Sequence, residues 1–172
     1  ESLGDDDTNG RDELTVRGKL LWQLGDDWQV LFSGLYTDFD NGYDAFVIDN
    51  GSVMHSDNPG RDEQQTTASS LKITGPLSSS AGFVSITGYA SSDILFSFDG
   101  DWGSSSFWNP YLYDYTYQNP RDRDSLSQEF RLVSSPAGRV FNGSTNWVLG
   151  VYTQRLEEDN RIDSIGIYDD SA

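Results

Sequence analysis

The chain has 172 residues, with 28 acidic against 11 basic side chains, a formal net charge of −17 and no cysteine. So acidic a surface repels phosphate backbones and excludes nucleic acid as a partner, and the missing cysteine excludes disulfides and thiolate metal sites. Aromatics make up 13% of a chain that is only 35% apolar, which excludes disorder and suits a wall greasy on one face and wet on the other.

No apolar run approaches the ~20 residues of a transmembrane helix. The opening Glu1-Ser2-Leu3-Gly4 has no signal-peptide pattern, and the chain reads as an internal piece of a longer one. A first strand is expected over 13–23: Leu14, Val16, Gly18, Leu20 and Trp22 share one parity, and Thr15, Arg17, Lys19, Leu21 and Gln23 the other, a period of two that no amphipathic helix gives. Leu24-Gly25-Asp26-Asp27 is a tight connection. A second strand over 28–38 sets Trp28, Val30, Phe32, Gly34 and Tyr36 opposite Gln29, Leu31, Ser33, Leu35 and Thr37. After a long polar loop over 39–66, a third strand spans 67–75, and a short connection leads to a fourth over 83–98. A second long loop, 99–124, precedes a fifth strand over 125–134, where Leu126, Gln128, Phe130 and Leu132 alternate with Ser127, Glu129 and Arg131. A brief connection joins it to a sixth, 146–156. The acidic tail reads as the start of a third long loop.

The pattern is therefore all-β, an antiparallel up-and-down meander of about six strands in three hairpins. Its connections alternate short, long, short, long, short. Bacterial transmembrane barrels do this, with short periplasmic turns, long extracellular loops, and strands of about ten residues alternating between lipid and lumen; a soluble sandwich has no reason to gather every long loop at one end. Arg17, Lys19, Lys72, Glu129 and Arg131 mark the wet parity. Trp22 and Trp28 flank one short turn and Trp147 follows another, where an interfacial aromatic girdle would lie. Core packing and a solvated sheet face are the plainer readings of these residues.

With the hairpins laid out, particular strings resemble one family. Asn9-Gly10-Arg11-Asp12-Glu13-Leu14-Thr15-Val16-Arg17-Gly18-Lys19-Leu20 is similar to a barrel strand of TonB-dependent outer-membrane receptors of the siderophore type. So are Asp38-Phe39-Asp40-Asn41-Gly42-Tyr43-Asp44-Ala45-Phe46, Ser97-Phe98-Asp99-Gly100-Asp101-Trp102, and Ser127-Gln128-Glu129-Phe130-Arg131-Leu132 followed by Trp147, Gly150 and Tyr152. The resemblance implies an internal segment of a 22-stranded barrel in the bacterial outer membrane. It also implies active uptake of a nutrient complex, ferric siderophore above all, with energy from the TonB complex acting through a plug domain absent from this chain. The bilayer and the siderophore are the implied partners.

Asp5, Asp7, Asn9 and Gly10 match the opening of a calcium loop, but its twelfth position is Val16 where a bidentate Glu is needed, so an acidic turn is the better reading and no metal site is expected. The 99–124 loop crowds Trp102, Phe107, Trp108, Tyr111 and Tyr113 together, with Arg121 and Arg123 just beyond. Aromatics give rigid contact area and Arg pairs with anionic groups, so these seven are the candidate ligand-binding residues. The alternative is that the tyrosines alternate because they extend a strand. His55 reads as a solvated loop side chain; no catalytic motif and no cofactor site is present, and the chain is not expected to be an enzyme. The competing readings are a secreted acidic β-sandwich of carbohydrate-binding type, and a passive porin-like barrel.

Overall fold

A computed structural model describes residues 8–44, 46–51, 53–169 and 171. The described residues form an all-β molecule of seven strands: β1 Glu13–Leu24, β2 Trp28–Gly42, β3 Arg61–Pro76, β4 Ala81–Asp99, β5 Leu112–Ser134, β6 Val148–Asn160 and β7 Asp163–Asp169, with one α-helical turn, α1 Ser105–Trp108, and one 3-10 turn, Pro136–Gly138. All strands join one antiparallel sheet in the order β1-β2-β3-β4-β5-β6, and β7 also pairs with β5. The sheet does not close on itself.

At one end two connections are short, 25–27 and 77–80, while the third, 135–147, is one residue longer than the 100–111 link at the other end. Gly25 at φ +64° makes the β1–β2 turn, a conformation only glycine adopts without strain. The β3–β4 and β5–β6 turns are tied together, Ser135 donating from its amide to the Ser80 carbonyl (3.0 Å) and from its hydroxyl to that of Ser79 (2.6 Å). At the other end β2 and β3 are linked through 43–60, and β4 and β5 through 100–111.

Three sequence expectations are corrected. β3 begins at Arg61, six residues earlier than expected, and β5 at Leu112, thirteen earlier. The tyrosine alternation is therefore a strand, and the long loops are shorter than 39–66 and 99–124. The tail is no loop either. Arg121 pairs with Asn160 and Gln118 with Asp163, one unbroken register, so β6 and β7 are a single strand interrupted opposite Pro120. Proline has no N–H for the ladder, and only the Arg161 amide still donates to the Pro120 carbonyl (3.1 Å).

Registers between neighbouring strands are regular, so residues directly opposite share a face. Trp22, Val30, Ile73, Ser85, Phe130 and Val151 stand in one row across six strands; Leu20, Phe32, Leu71, Thr87, Gln128 and Thr153 stand in the next. This face is apolar in the half nearest the short turns. Beyond Tyr36 the same face becomes acidic: Asp38, Gln65, Asp93, Asp122 and Asp159 form a row, flanked by Asp40, Glu63, Asp124 and Glu157. The opposite face carries Arg17, Lys19, Lys72, Glu129 and Arg131 together.

Among the described residues no hydrophobic side chain is buried, and Leu20 and Leu149 are 64% and 66% exposed. Backbone pairing, cross-strand side-chain contacts and small aromatic clusters hold this sheet together, without a core. The indole of Trp28 lies over Gly75, its cross-strand partner, and in a tilted contact with Phe83 (6.4 Å), which stacks in turn on Phe130 (6.1 Å).

Candidate functional site

The two long loops pack onto the far end of the sheet, on the face opposite the apolar half. The strands supply Phe96, Phe98 and Tyr117 there, in mutual ring contact at 4.8–6.4 Å, and Tyr43 of the first loop sets its edge on Phe96 at 4.8 Å. Two aspartates order the second loop. Asp101 accepts from the Gly103 amide (3.0 Å), the Trp108 indole Nε1 (3.0 Å) and the Tyr115 amide (2.7 Å). These bonds tie a tight turn, α1 and the first residues of β5 to one carboxylate. Asp99, only 2% exposed, accepts from the Asp101 amide (3.2 Å), and also from the Ser56 hydroxyl (2.7 Å) and Asp57 amide (3.3 Å) of the first loop. The loops are thus clasped, and the stacking of His55 on Phe107 at 4.5 Å adds a second clasp.

The first loop closes on itself where Gly60 donates to Asp44 Oδ1 (3.3 Å) and its carbonyl accepts from the Tyr43 amide (2.9 Å). A β-carbon at Gly60 would fall 2.0 Å from the Tyr43 carbonyl oxygen, so only glycine allows this approach.

Electrostatically the two loops are negative, and the nearest arginine, Arg61 at the start of β3, pairs with Glu63. Residues 43–60 and 99–118 contain six aspartates and no lysine or arginine. Burial raises the carboxyls of Asp44, Asp57 and Asp99 above the usual carboxylate range, and repulsion from Asp101 and Asp114 adds to this at Asp57. Neighbouring hydrogen-bond donors offset part of the effect.

Five of the seven candidate ligand residues are brought together here. Trp108 meets Phe107 and Tyr113 edge-on at 5.1 and 5.2 Å, Tyr111 lies 6.4 Å from Tyr113, and Trp102 lies 5.9 Å from Phe46. Arg121 and Arg123 are elsewhere. They lie within β5, with Arg121 eight residues beyond Tyr113, roughly 27 Å along an extended strand. Arg123 is committed to Glu158 at 2.5 Å. His55, read from the sequence as solvated, is half-buried in a ring stack. Phe46, Asp44, Asp99 and Asp101 stand in the family-like strings of the sequence, but nothing there marks them as parts of a site. The Asp99-Gly100-Asp101-Trp102 run is their one local signal, but its partners lie up to 43 residues away. Asp5 and Asp7 of the calcium-like string lie outside the described residues.

Comparison with family models, with curated proteins and with solved structures finds no match. The functional reading therefore rests on the sheet and its loops.

Proposed function

We propose that this chain is a wall segment of a TonB-dependent outer-membrane receptor that takes up a nutrient complex, ferric siderophore being the leading class, with the long loops facing the outside. One observation carries the reading: the apolar half of one face has a defined height and aromatic rims. Trp22, Trp28, Phe83, Phe130 and Trp147 line the short-turn rim, and Tyr36 and Tyr89 the other. From Trp28 to Tyr36 is eight residues, roughly 27 Å along the strand and roughly 20 Å across a membrane at barrel tilt, against an apolar band of about 25 Å in outer-membrane barrels. In β2 acidic residues begin at the next position on that face, and in β5 and β6 Asp124 and Glu157 stand in the Tyr36 row itself. Of the charged residues of the same height, Arg17, Lys19, Lys72, Glu129 and Arg131 sit on the other face, as a water-filled or plugged lumen requires, while Arg155, opposite Leu126, stands on the apolar face near its long-loop margin. A sheet with no buried apolar residue is accounted for if lipid covers one face and the rest of the barrel continues from both edges.

Labelling of single cysteines tests the topology: these 172 residues have none, and any elsewhere in the full-length protein is first replaced by serine. In intact cells making the full-length protein, Ser106→Cys should react with a membrane-impermeant maleimide. Asp27→Cys and Ser79→Cys should react only after the outer membrane is permeabilised. Recovery of the protein in the soluble fraction, or equal labelling of all three sites in intact cells, would overturn the reading.

A further inference from the structure

Phe46 and Trp102 are 53% and 43% exposed and lie 5.9 Å apart with ring planes 34° from parallel. Both line a crevice with Tyr43, Phe98 and the buried Asp44 and Asp99. Trp102 also stands in the left-handed region, at φ +58°. A bulky residue is strained there and persists only where its surroundings impose it. The imposing groups are Asp101 and Asp99, which fix the backbone on either side through the bonds described above. A glycine would satisfy that backbone without strain, so the fold holds this indole outward at a conformational cost.

Charge decides what such a ring pair receives. The six aspartates of the two loops face no lysine or arginine within them, and among the described residues none of the ion pairs involves Asp44, Asp57, Asp99 or Asp101. The Asp44 carboxylate in the crevice receives the Gly60 amide and the Thr8 hydroxyl, both neutral donors. The two arginines that would serve an anionic ligand are the ones displaced down β5. A negative field with the π-faces of Phe46 and Trp102 attracts a cation by both terms, and an anionic ligand is opposed by the first.

We infer that Phe46 and Trp102, with the carboxylates of their crevice, form a capture site for a cationic organic ligand, one presenting an ammonium or similarly delocalised positive group. The inference rests on the receptor reading above and narrows its substrate class: the nutrient complex carries positive charge where it first meets the loops.

The test uses the full-length protein in detergent micelles, titrated calorimetrically at low salt with benzyltrimethylammonium, benzyl alcohol and benzenesulfonate. The cation should bind saturably, more tightly than the other two, and more weakly as salt is raised. Trp102→Gly, which suits the left-handed backbone and so leaves the loop folded, should weaken it about tenfold, whereas Trp102→Phe keeps a ring and should stay within about threefold. Absence of saturable cation binding, equal or tighter binding of the sulfonate or the alcohol, or wild-type affinity in Trp102→Gly would overturn the inference. Ser106→Cys labelling separates the two claims. A loop accessible from outside that binds no cation sinks only the capture site, whereas an inaccessible loop sinks the receptor reading.

Discussion

The Tyr36 hydroxyl donates to Asp38 Oδ2 at 3.2 Å, and that bond spans the line where the face changes from apolar to acidic. On the short-turn side of Tyr36 come Gly34, Phe32, Val30 and Trp28; on the long-loop side come Asp38 and Asp40. The same transition recurs to within one row in β4, between Tyr89 and Asp93, and in β5, from Leu126 to Asp124, while in β1 Leu14 stands opposite Asp38. A boundary shared across strands is a property of the surroundings, since side-chain pairing alone would not align it.

Its first consequence is depth-dependent tolerance of charge. Phe32→Arg, in the middle of the band, should destabilise the membrane-inserted protein by roughly 2–4 kcal/mol, and Asp38→Arg by roughly 0–1 kcal/mol. Urea unfolding of the full-length protein in lipid vesicles measures both. Equal costs at the two positions would contradict a lipid-facing band.

Asp93 and Asp122 are direct cross-strand partners, and Asp122 in turn faces Asp159. Like charges so placed oppose pairing. Asp122→Asn should therefore raise stability by a few tenths to about 1 kcal/mol, and the gain should shrink at high salt as screening removes the repulsion. Denaturant midpoints at two ionic strengths check this, and a salt-independent loss of stability would refute it.

At Gly75 an added β-carbon would fall 2.2 Å from Trp28 Cδ2, so the indole must leave its place over the strand. Gly75→Ala is expected to cost about 1–3 kcal/mol through overpacking and to change the Trp28 emission, read in variants retaining only that tryptophan. Unchanged emission and stability would show that the indole does not rest there.

The loop clasp should respond to pH. Asp99 has a folded-state carboxyl raised above its usual 3.8, chiefly by burial, so between that value and the raised one the folded loop holds a proton that the unfolded loop does not. Its contribution is greatest below this window and is lost as pH rises through it. Proteolytic cleavage of 100–111 should accordingly be slower near pH 4.5 than near pH 7, measured with a protease active at both and corrected on an unfolded peptide. Asp99→Asn should flatten the difference. A wild-type loop equally resistant at both pH values would contradict the assignment.

The β1–β2 hairpin and the lower halves of β3 to β6 are legible in the sequence because apolar and polar residues alternate there with period two. The upper strands are not. Arg61 to Thr66 and Gln118 to Asp124 are polar throughout, without an apolar alternation, and include Asp and Pro120, poor strand formers, and they are extended because regular pairing with β2, β4 and the β6–β7 strand carries the ladder onward. The crowding of Trp102 to Tyr113 marks the site from composition alone. Its organisation is invisible because Asp99 and Asp101 act through partners set by the fold, and because a strand, by continuing, carries Arg121 and Arg123 away from the rings they follow in sequence.

The most direct test of the account is a spin-label scan along β2 in lipid vesicles, from residue 28 to residue 42, recording collision with oxygen and with a water-soluble nickel chelate. The account predicts a period of two, with labels at 30, 32 and 34 exposed to oxygen and shielded from nickel, and a switch to nickel exposure at 38 and 40 on the same face. Nickel exposure at all five positions would contradict it.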